Sequence, residues 1–364
     1  IDAAQDFVGD KWIASGVEIN NVYASTHVIV FDRDASESHD HRRVVVDPVN
    51  ATVLGEKPES PFFRIVLDIH RRLYAGTFGR ILVELTTCWT IFLTLTGFYL
   101  WWPKSWRKLA GVLKPRLKGN KYVALRDIHA IPGALLSPIL ILIAFTGLLY
   151  SVLWGTAYLT IGFTSGAFDL SVNPPQSTVP TGEAAAEQRI SPDDVYGLMR
   201  DYQMPTVRIS IELPTKPESS YAIKSGYTWG PSIASALFVD QYSGEVIQSV
   251  GLLDLPVMAQ WALLNYPLHV GSIMGLASKV LWLVACLILC AAPITGVWMW
   301  LQRRKPNQTG FPKRYHARLP SWLMLSLAAL GVCLPIAGLS MIVIAVGDWI
   351  AARMTRTNSM DAEG

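Results

Sequence analysis

Charged residues are scarce in this 364-residue chain, at 16% of the total. An average soluble domain carries roughly 25%. Together with 51% hydrophobic residues and 13 tryptophans, that deficit argues against a large soluble globule and for a bilayer protein. Cysteine is scarce as well. Cys88, Cys286, Cys290 and Cys333 all fall inside apolar stretches, so no disulfide framework braces the polar segments. The thiols read as small apolar fillers. The opening residue is Ile1 rather than Met, and the first polar segment is read below as lying outside the cytoplasm. The expectation is that a targeting or membrane segment precedes it. No activated nucleophile or acid–base dyad is evident, and nucleic acid is not an expected partner.

Long apolar runs are what the chain has in abundance. Ile81–Trp102, Gly133–Trp154, Leu276–Leu301 and Pro320–Val346 each reach the roughly 20 residues that a spanning helix needs. Their connections differ in charge. Between Pro103 and Asp127 there are eight Lys/Arg against one acid, and between Gln302 and Leu319 six and no acid. From Thr156 to Met274 there are five Lys/Arg and eleven Asp/Glu. By the positive-inside rule the two short basic loops are cytoplasmic. The expected layout is therefore outside segment 1–68, helix 69–102, basic loop 103–128, helix 129–155, outside domain 156–266, helix 267–301, basic loop 302–318, helix 319–348 and outside tail 349–364. The outside is the periplasm if the cell is Gram-negative, and lipid is an expected partner.

The outside segments are α+β in pattern. "YASTHVIVFD" and "HRRVVVDPVNATVLGE" alternate like strands joined by a turn. "SPDDVYGLMRDY" opens with an N-cap Ser and a Pro at the first helical position. "TVRISIEL", "SSYAIKSG" and "ASALFVDQYSGEVIQSV" follow as strands, and 171–187 reads as a linker.

Part of the chain occurs twice. His70, Gly76, Arg80, Thr96, Gly97 and Trp101 recur at one constant offset as His269, Gly275, Lys279, Thr295, Gly296 and Trp300. "VVVDPVNATVLGE" and "LFVDQYSGEVIQSV" share a strand, Asp, turn, strand order. The fold class expected is an integral-membrane bundle of four helices with a two-fold internal repeat and extracytoplasmic α+β domains.

Four of the seven histidines flank the four spans, one each: His70 and His269 at the outside ends, His129 and His316 at the cytoplasmic ends. That makes two pairs at two depths. A facing imidazole pair suits six-coordinate haem, with one axial ligand on each side of the ring. Gly76, Gly97, Gly147, Gly275, Gly296 and Gly338 provide room between helices. Arg80 and Lys279 outside, with Arg126, Arg314 and Arg318 inside, are candidate partners for the propionates. No Cys-x-x-Cys-His occurs, which excludes c-type attachment and leaves b-type haem, two of them bis-histidine in the expected reading. Met299 or Met341 could substitute as a ligand, but neither recurs in the other half. Zinc is a weaker rival, since two histidines per depth leave a tetrahedral site incomplete. Glu84 lies within the first span. It either shares a proton with a group at the haem edge or, the preferred reading, snorkels to the interface. Tyr221, Tyr227, Trp229 and Trp261 are candidates for an outside ligand cradle.

The doubled "LDIHRRLYAGTFGR…TLTGFYLWWP" and "YPLHVGSIMG…PITGVWMWL", interleaved with the two Asp-turn hairpins, resembles the PepSY-associated transmembrane helix proteins. Within them it resembles most the FoxB-type inner-membrane ferrisiderophore reductases. The resemblance implies PepSY-like outside domains and haem-borne electron transfer to a ferric siderophore outside. It also implies a cytoplasmic donor (a flavin, a reduced nicotinamide or the quinol pool) and His70, His129, His269 and His316 as haem ligands. The rival readings are a siderophore permease and an extracytoplasmic binding module without redox activity.

Overall fold

The computed structural model describes residues 1–20, 26–33, 41–57, 60–118, 120–181, 189–202, 208–225, 235–304 and 321–360. The order begins α1 (Asp2–Val8), β1 (Trp12–Asn20), β2 (Thr26–Arg33), β3 (His41–Val46), β4 (Val53–Glu56), α2 (Pro61–Arg72) and α3 (Gly76–Trp101). After α4 (Leu109–Val112) come α5 (Lys121–Leu148), α6 (Leu153–Thr164), α7 (Asp169–Val172) and α8 (Pro192–Asp201). Strands β5 (Arg208–Glu212), β6 (Tyr221–Ser225), β7 (Ser235–Val239) and β8 (Val246–Gly251) follow. The last helices are α9 (Val257–His269), α10 (Leu276–Arg303), α11 (Ser321–Cys333) and α12 (Pro335–Met360). The chain divides into a sheet unit and a helical unit.

The two outside segments, expected as separate pieces, share one antiparallel sheet in the order β4-β3-β2-β1-β5-β6-β7-β8. Two meanders meet at the β1–β5 seam, where Val17 faces Ile211 and Ile19 faces Ile209. Alternate residues point to one face, as the pleat requires. Val17, Ile19, Ile29, Phe31, Val44, Ile209, Ile211, Ile223 and Leu237 join Ala4 of α1 and Val195 and Met199 of α8 in one core. Neither meander buries its apolar face alone. The N-cap expected at Ser191 is present: its hydroxyl accepts from Asp194 N at 3.2 Å, and Asp194 Oδ2 accepts from Ser191 N at 3.2 Å. Strand β1 and helix α1 had no counterpart in the sequence reading.

Asp240 pins the β7–β8 turn. Its Oδ1 accepts from Tyr242 N and Ser243 N at 2.8 and 2.9 Å, and its Oδ2 from Thr178 N at 2.8 Å. Burial alone would raise this carboxyl; the backbone N–H groups outweigh it and hold the carboxyl below the usual range. Asp47 makes the corresponding turn between β3 and β4, accepting from Val49 N at 2.8 Å.

Among the described residues three helices are long and apolar enough to cross a membrane: α3 with 26 residues, α5 with 28 and α10 with 28. At about 1.5 Å per residue they reach roughly 40 Å, more than the hydrocarbon core. The fourth apolar run is not one helix. It divides into α11 and α12 at Leu334–Pro335, where proline supplies no N–H and its ring displaces the preceding turn. Pro293 inside α10 and Pro132 and Pro138 inside α5 do not end their helices. Ser137 Oγ donates to Ala134 O at 2.8 Å, filling the place of the bond Pro138 cannot give. Helix α5 starts earlier than expected, at the N-cap Asn120, whose side chain accepts from Tyr122 N. His129 therefore stands two turns inside the helix rather than ahead of it.

Candidate functional site

His70 and His269 are not on the spans they precede. His70 lies in the last turn of a short helix, α2, and His269 ends another, α9, and a tight turn then leads into α3 or α10. The first turn runs through Leu73 and Tyr74 at φ of 50° and 54° to Gly76 at 55°; the second uses Gly271 at 66° and Gly275 at 64°. Gly76 and Gly275, expected to make room between helices, are instead turn residues in the left-handed region, where glycine is the least strained choice. Helix α10 fixes the second turn from the side. Trp282 Nε1 donates to Leu268 O at 2.8 Å and Ser278 Oγ to Gly271 O at 2.7 Å.

These turns bring the two imidazoles together, with ring centroids 6.1 Å apart and planes inclined by 42°. His70 is exposed and His269 half-buried. The C-terminal end of α5 holds His269. Nδ1 lies 3.1 Å from Ile143 O and 3.1 Å from Thr146 Oγ1. A Cβ on Gly147 would stand 3.1 Å from its Cε1, so the ring lies on the glycine. Tyr150 is the next aromatic, 5.6 Å away. Arg80 donates to Tyr150 O at 3.4 Å, beside the pair, while Lys279 is exposed in the first turn of α10.

At the other end of α5, His129 Nδ1 lies 2.8 Å from Thr295 Oγ1 of α10. A Cβ on Gly296 would stand 4.0 Å from His129 Cε1. The partner expected for His129, His316, lies outside the described residues, as do Arg314 and Arg318. Arg126 is engaged: with Arg116 it pairs with the buried Asp127, at 3.1 and 2.8 Å. Arg116 N also donates to Asp127 Oδ2 at 3.0 Å, which fastens the basic loop to α5. Among the described residues no group of three or more His, Cys, Asp or Glu is assembled. The donor set on view is a pair of imidazoles.

Glu84 does not snorkel. It is 1% exposed, and its carboxylate accepts from Val152 N, Leu153 N and Trp154 N at 3.0, 2.8 and 2.9 Å. Those are the orphan donors at the start of α6, so a side chain from α3 caps a helix some seventy residues on. Tyr221 is not in a ligand cradle either. It is buried in the sheet core with its hydroxyl donating to Ile190 O at 3.0 Å. Trp261 is half-buried on α9, and Tyr227 and Trp229 lie outside the described residues. The sheet unit has a shallow cleft of about 280 Å³ lined by Pro174, Pro175, Glu212 and Lys216 among others; neither Tyr221 nor Trp261 lines it.

Sequence reasoning named Thr295 only as part of a repeat, and it missed Thr146, Asp127 and Arg116. The signal for Thr146 was present: "FTGLL" in α5 carries the same Thr-Gly step as "LTGFY" and "ITGVW".

A model of the PepSY-associated TM region matches residues 5–303, which takes in both meanders and the three long helices. The chain belongs to the PepSY-associated TM family. No curated protein matches it significantly. This PepSY-associated TM protein is a multi-pass membrane protein, with its antiparallel sheet in a unit apart from the apolar helices.

Proposed function

We propose that this PepSY-associated TM protein is a di-haem b electron carrier of the bacterial inner membrane that reduces ferric siderophore on the periplasmic side. The observation that carries the reading is the His70–His269 pair. Two imidazole nitrogens at about 2 Å on either side of one metal leave the ring centres roughly 6 Å apart, and the rings stand at 6.1 Å. Each Nδ1 on α5's two sites is already engaged, so the outward nitrogen is Nε2. Bound there, haem supplies a one-electron ferric/ferrous couple.

The chain's own residues do the rest. His70 and His269 grip from two short helices, Gly147 lets the ring approach α5, and Arg80 places a cation beside the pair for a carboxylate. His129 and His316 are the proposed second pair, at the end of α5 that bears the basic loop; Thr146 lies 17 residues further along α5, a rise of roughly 25 Å. In this reading α11 and α12 together complete the fourth crossing, and the sheet unit lies in the periplasm. The net change is one electron. A cytoplasmic flavin, reduced nicotinamide or quinol loses it, and siderophore-bound Fe(III) gains it to become Fe(II). Hard oxygen ligands hold Fe(II) less firmly, so iron is released without hydrolysis.

A dithionite-reduced absorption spectrum of the purified chain tests this. The expected result is b-type bands at two haems per chain, with about one lost in His70→Ala or His269→Ala and the other in His129→Ala. A colourless protein after haem-supplemented expression would end the reductase reading.

A further inference from the structure

We propose that Thr146 and Thr295 are positioning residues: each holds an imidazole in the tautomer with hydrogen on Nδ1, leaving Nε2 bare to bind a metal. The hydrogen-bond bookkeeping forces this. A carbonyl oxygen can only accept, so the 3.1 Å contact from His269 Nδ1 to Ile143 O requires an N–H on Nδ1. The Thr146 hydroxyl has one proton, and it lies 2.7 Å from Leu142 O and 3.0 Å from Ile143 O. That proton goes to the helix backbone, and the oxygen turns its lone pair to His269 Nδ1.

Thr295 repeats the arrangement. Its hydroxyl is 2.9 Å from Ala291 O and 3.1 Å from Ala292 O, so its proton is likewise spent on its own helix. The oxygen then accepts from His129 Nδ1–H at 2.8 Å. With both Nδ1 positions protonated, each neutral ring has its lone pair on Nε2. Metal-bound histidines are held this way by a partner on the other nitrogen. The threonines also cross over. Thr146 of α5 serves the histidine at the end of α9, and Thr295 of α10 serves the histidine within α5. A shift of α5 against α10 therefore disturbs His129 through Thr295.

The assignment of the threonines as servants of a metal ligand rests on the haem reading, whereas the tautomer does not, so the test has two arms. In the first, the full chain without haem, labelled with ¹⁵N-histidine in detergent micelles, gives two-bond ¹H–¹⁵N correlations. Nδ1–H patterns are expected for His129 and His269. Thr295→Val, equal in shape but without the oxygen, is expected to convert His129 to a mixture of tautomers and leave His269 alone; Thr295→Ser restores the pattern. Thr146→Val is expected to act on His269 in the same direction, with Ile143 O left as an acceptor there as Ala292 O is beside His129. An Nε2–H pattern at His129 in the unaltered chain, or no change in Thr295→Val, overturns the proposal. In the second arm haem is titrated in. Thr295→Val is expected to weaken uptake at one of two sites by about 10–100-fold, with Thr295→Ser near the unaltered value. Equal affinity of Thr295→Val and the unaltered chain overturns the positioning role. If no variant takes up haem while the tautomers are as expected, it is the reductase reading that falls.

Discussion

The two ends of α5 hold their histidines alike, by a threonine and a main-chain group, but differ in glycine contact and in how the neighbouring acid is held. At the C-terminal end His269 is met by a backbone carbonyl, a threonine and a glycine in contact distance, and the nearby acid, Glu84, is spent entirely on backbone N–H groups. At the N-terminal end His129 is met by Thr295, by the Ala292 main chain and by a looser glycine, and the nearby acid, Asp127, is spent on two arginines. At the first end the acid is held by main-chain N–H groups. At the second it is held by side chains, the arginines, which are 61% and 43% exposed. An acid held by main chain keeps its geometry whatever the surface does; one held in an exposed ion-pair cluster is open to salt.

The largest break in that comparison comes from Glu84. Glu84→Ala leaves the three N–H groups at the start of α6 without their acceptor. The expected loss is about 3 kcal/mol, read as a lowered midpoint for thermal unfolding in micelles. Glu84→Gln, which still offers one oxygen, falls between. Gly147→Ala comes next. Its methyl would meet His269 Cε1 at 3.1 Å, tighter than ordinary contact, so the ring tilts away or the helices part at about 1–3 kcal/mol. Gly296→Ala, with 4.0 Å to His129 Cε1, is expected to be tolerated. Haem uptake that falls for the first and holds for the second is the expected readout; equal losses would remove the distinction between the ends.

What could be read from the sequence, and what could not, follows the range of each interaction. The hairpins after Asp47 and Asp240 and the start of α8 at Ser191 rest on bonds between residues two or three apart, and all were legible. The repeat placed His70 and His269 at equivalent positions, and their rings are neighbours. Their seating on α2 and α9 was hidden, because the turn after α2 passes through Leu73 and Tyr74, which carry no turn signal. The β1–β5 seam joins residues almost two hundred apart, and no local pattern announces it. Glu84 was legible as an oddity but not as a cap, since its partners lie on another helix.

Asp127→Asn probes the weaker end. Removing the charge leaves no buried cation, because both arginines reach water, so the expected loss is about 1 kcal/mol. It should shrink further as salt is raised, whereas the effect of Glu84→Ala should not. Unfolding midpoints at low and high salt separate the two; salt dependence in the Glu84 variant would erase the contrast between main-chain and side-chain anchoring.

The smallest effect belongs to the sheet unit, where Asp240 is held by main chain as Glu84 is, but outside the apolar helices. Its carboxyl sits below the usual range when folded, so its stabilisation is present in full above the ordinary carboxylate value, near pH 4, and fades as acid drives the pH through the folded value. Asp240→Asn keeps an oxygen for Tyr242 N and Ser243 N but not the charge. The expected outcome is a lower unfolding midpoint than the unaltered chain at about pH 7, with the gap narrowing as the pH falls below about 4. A constant gap across that range would mean that the side chain's shape, and not its charge, secures the turn.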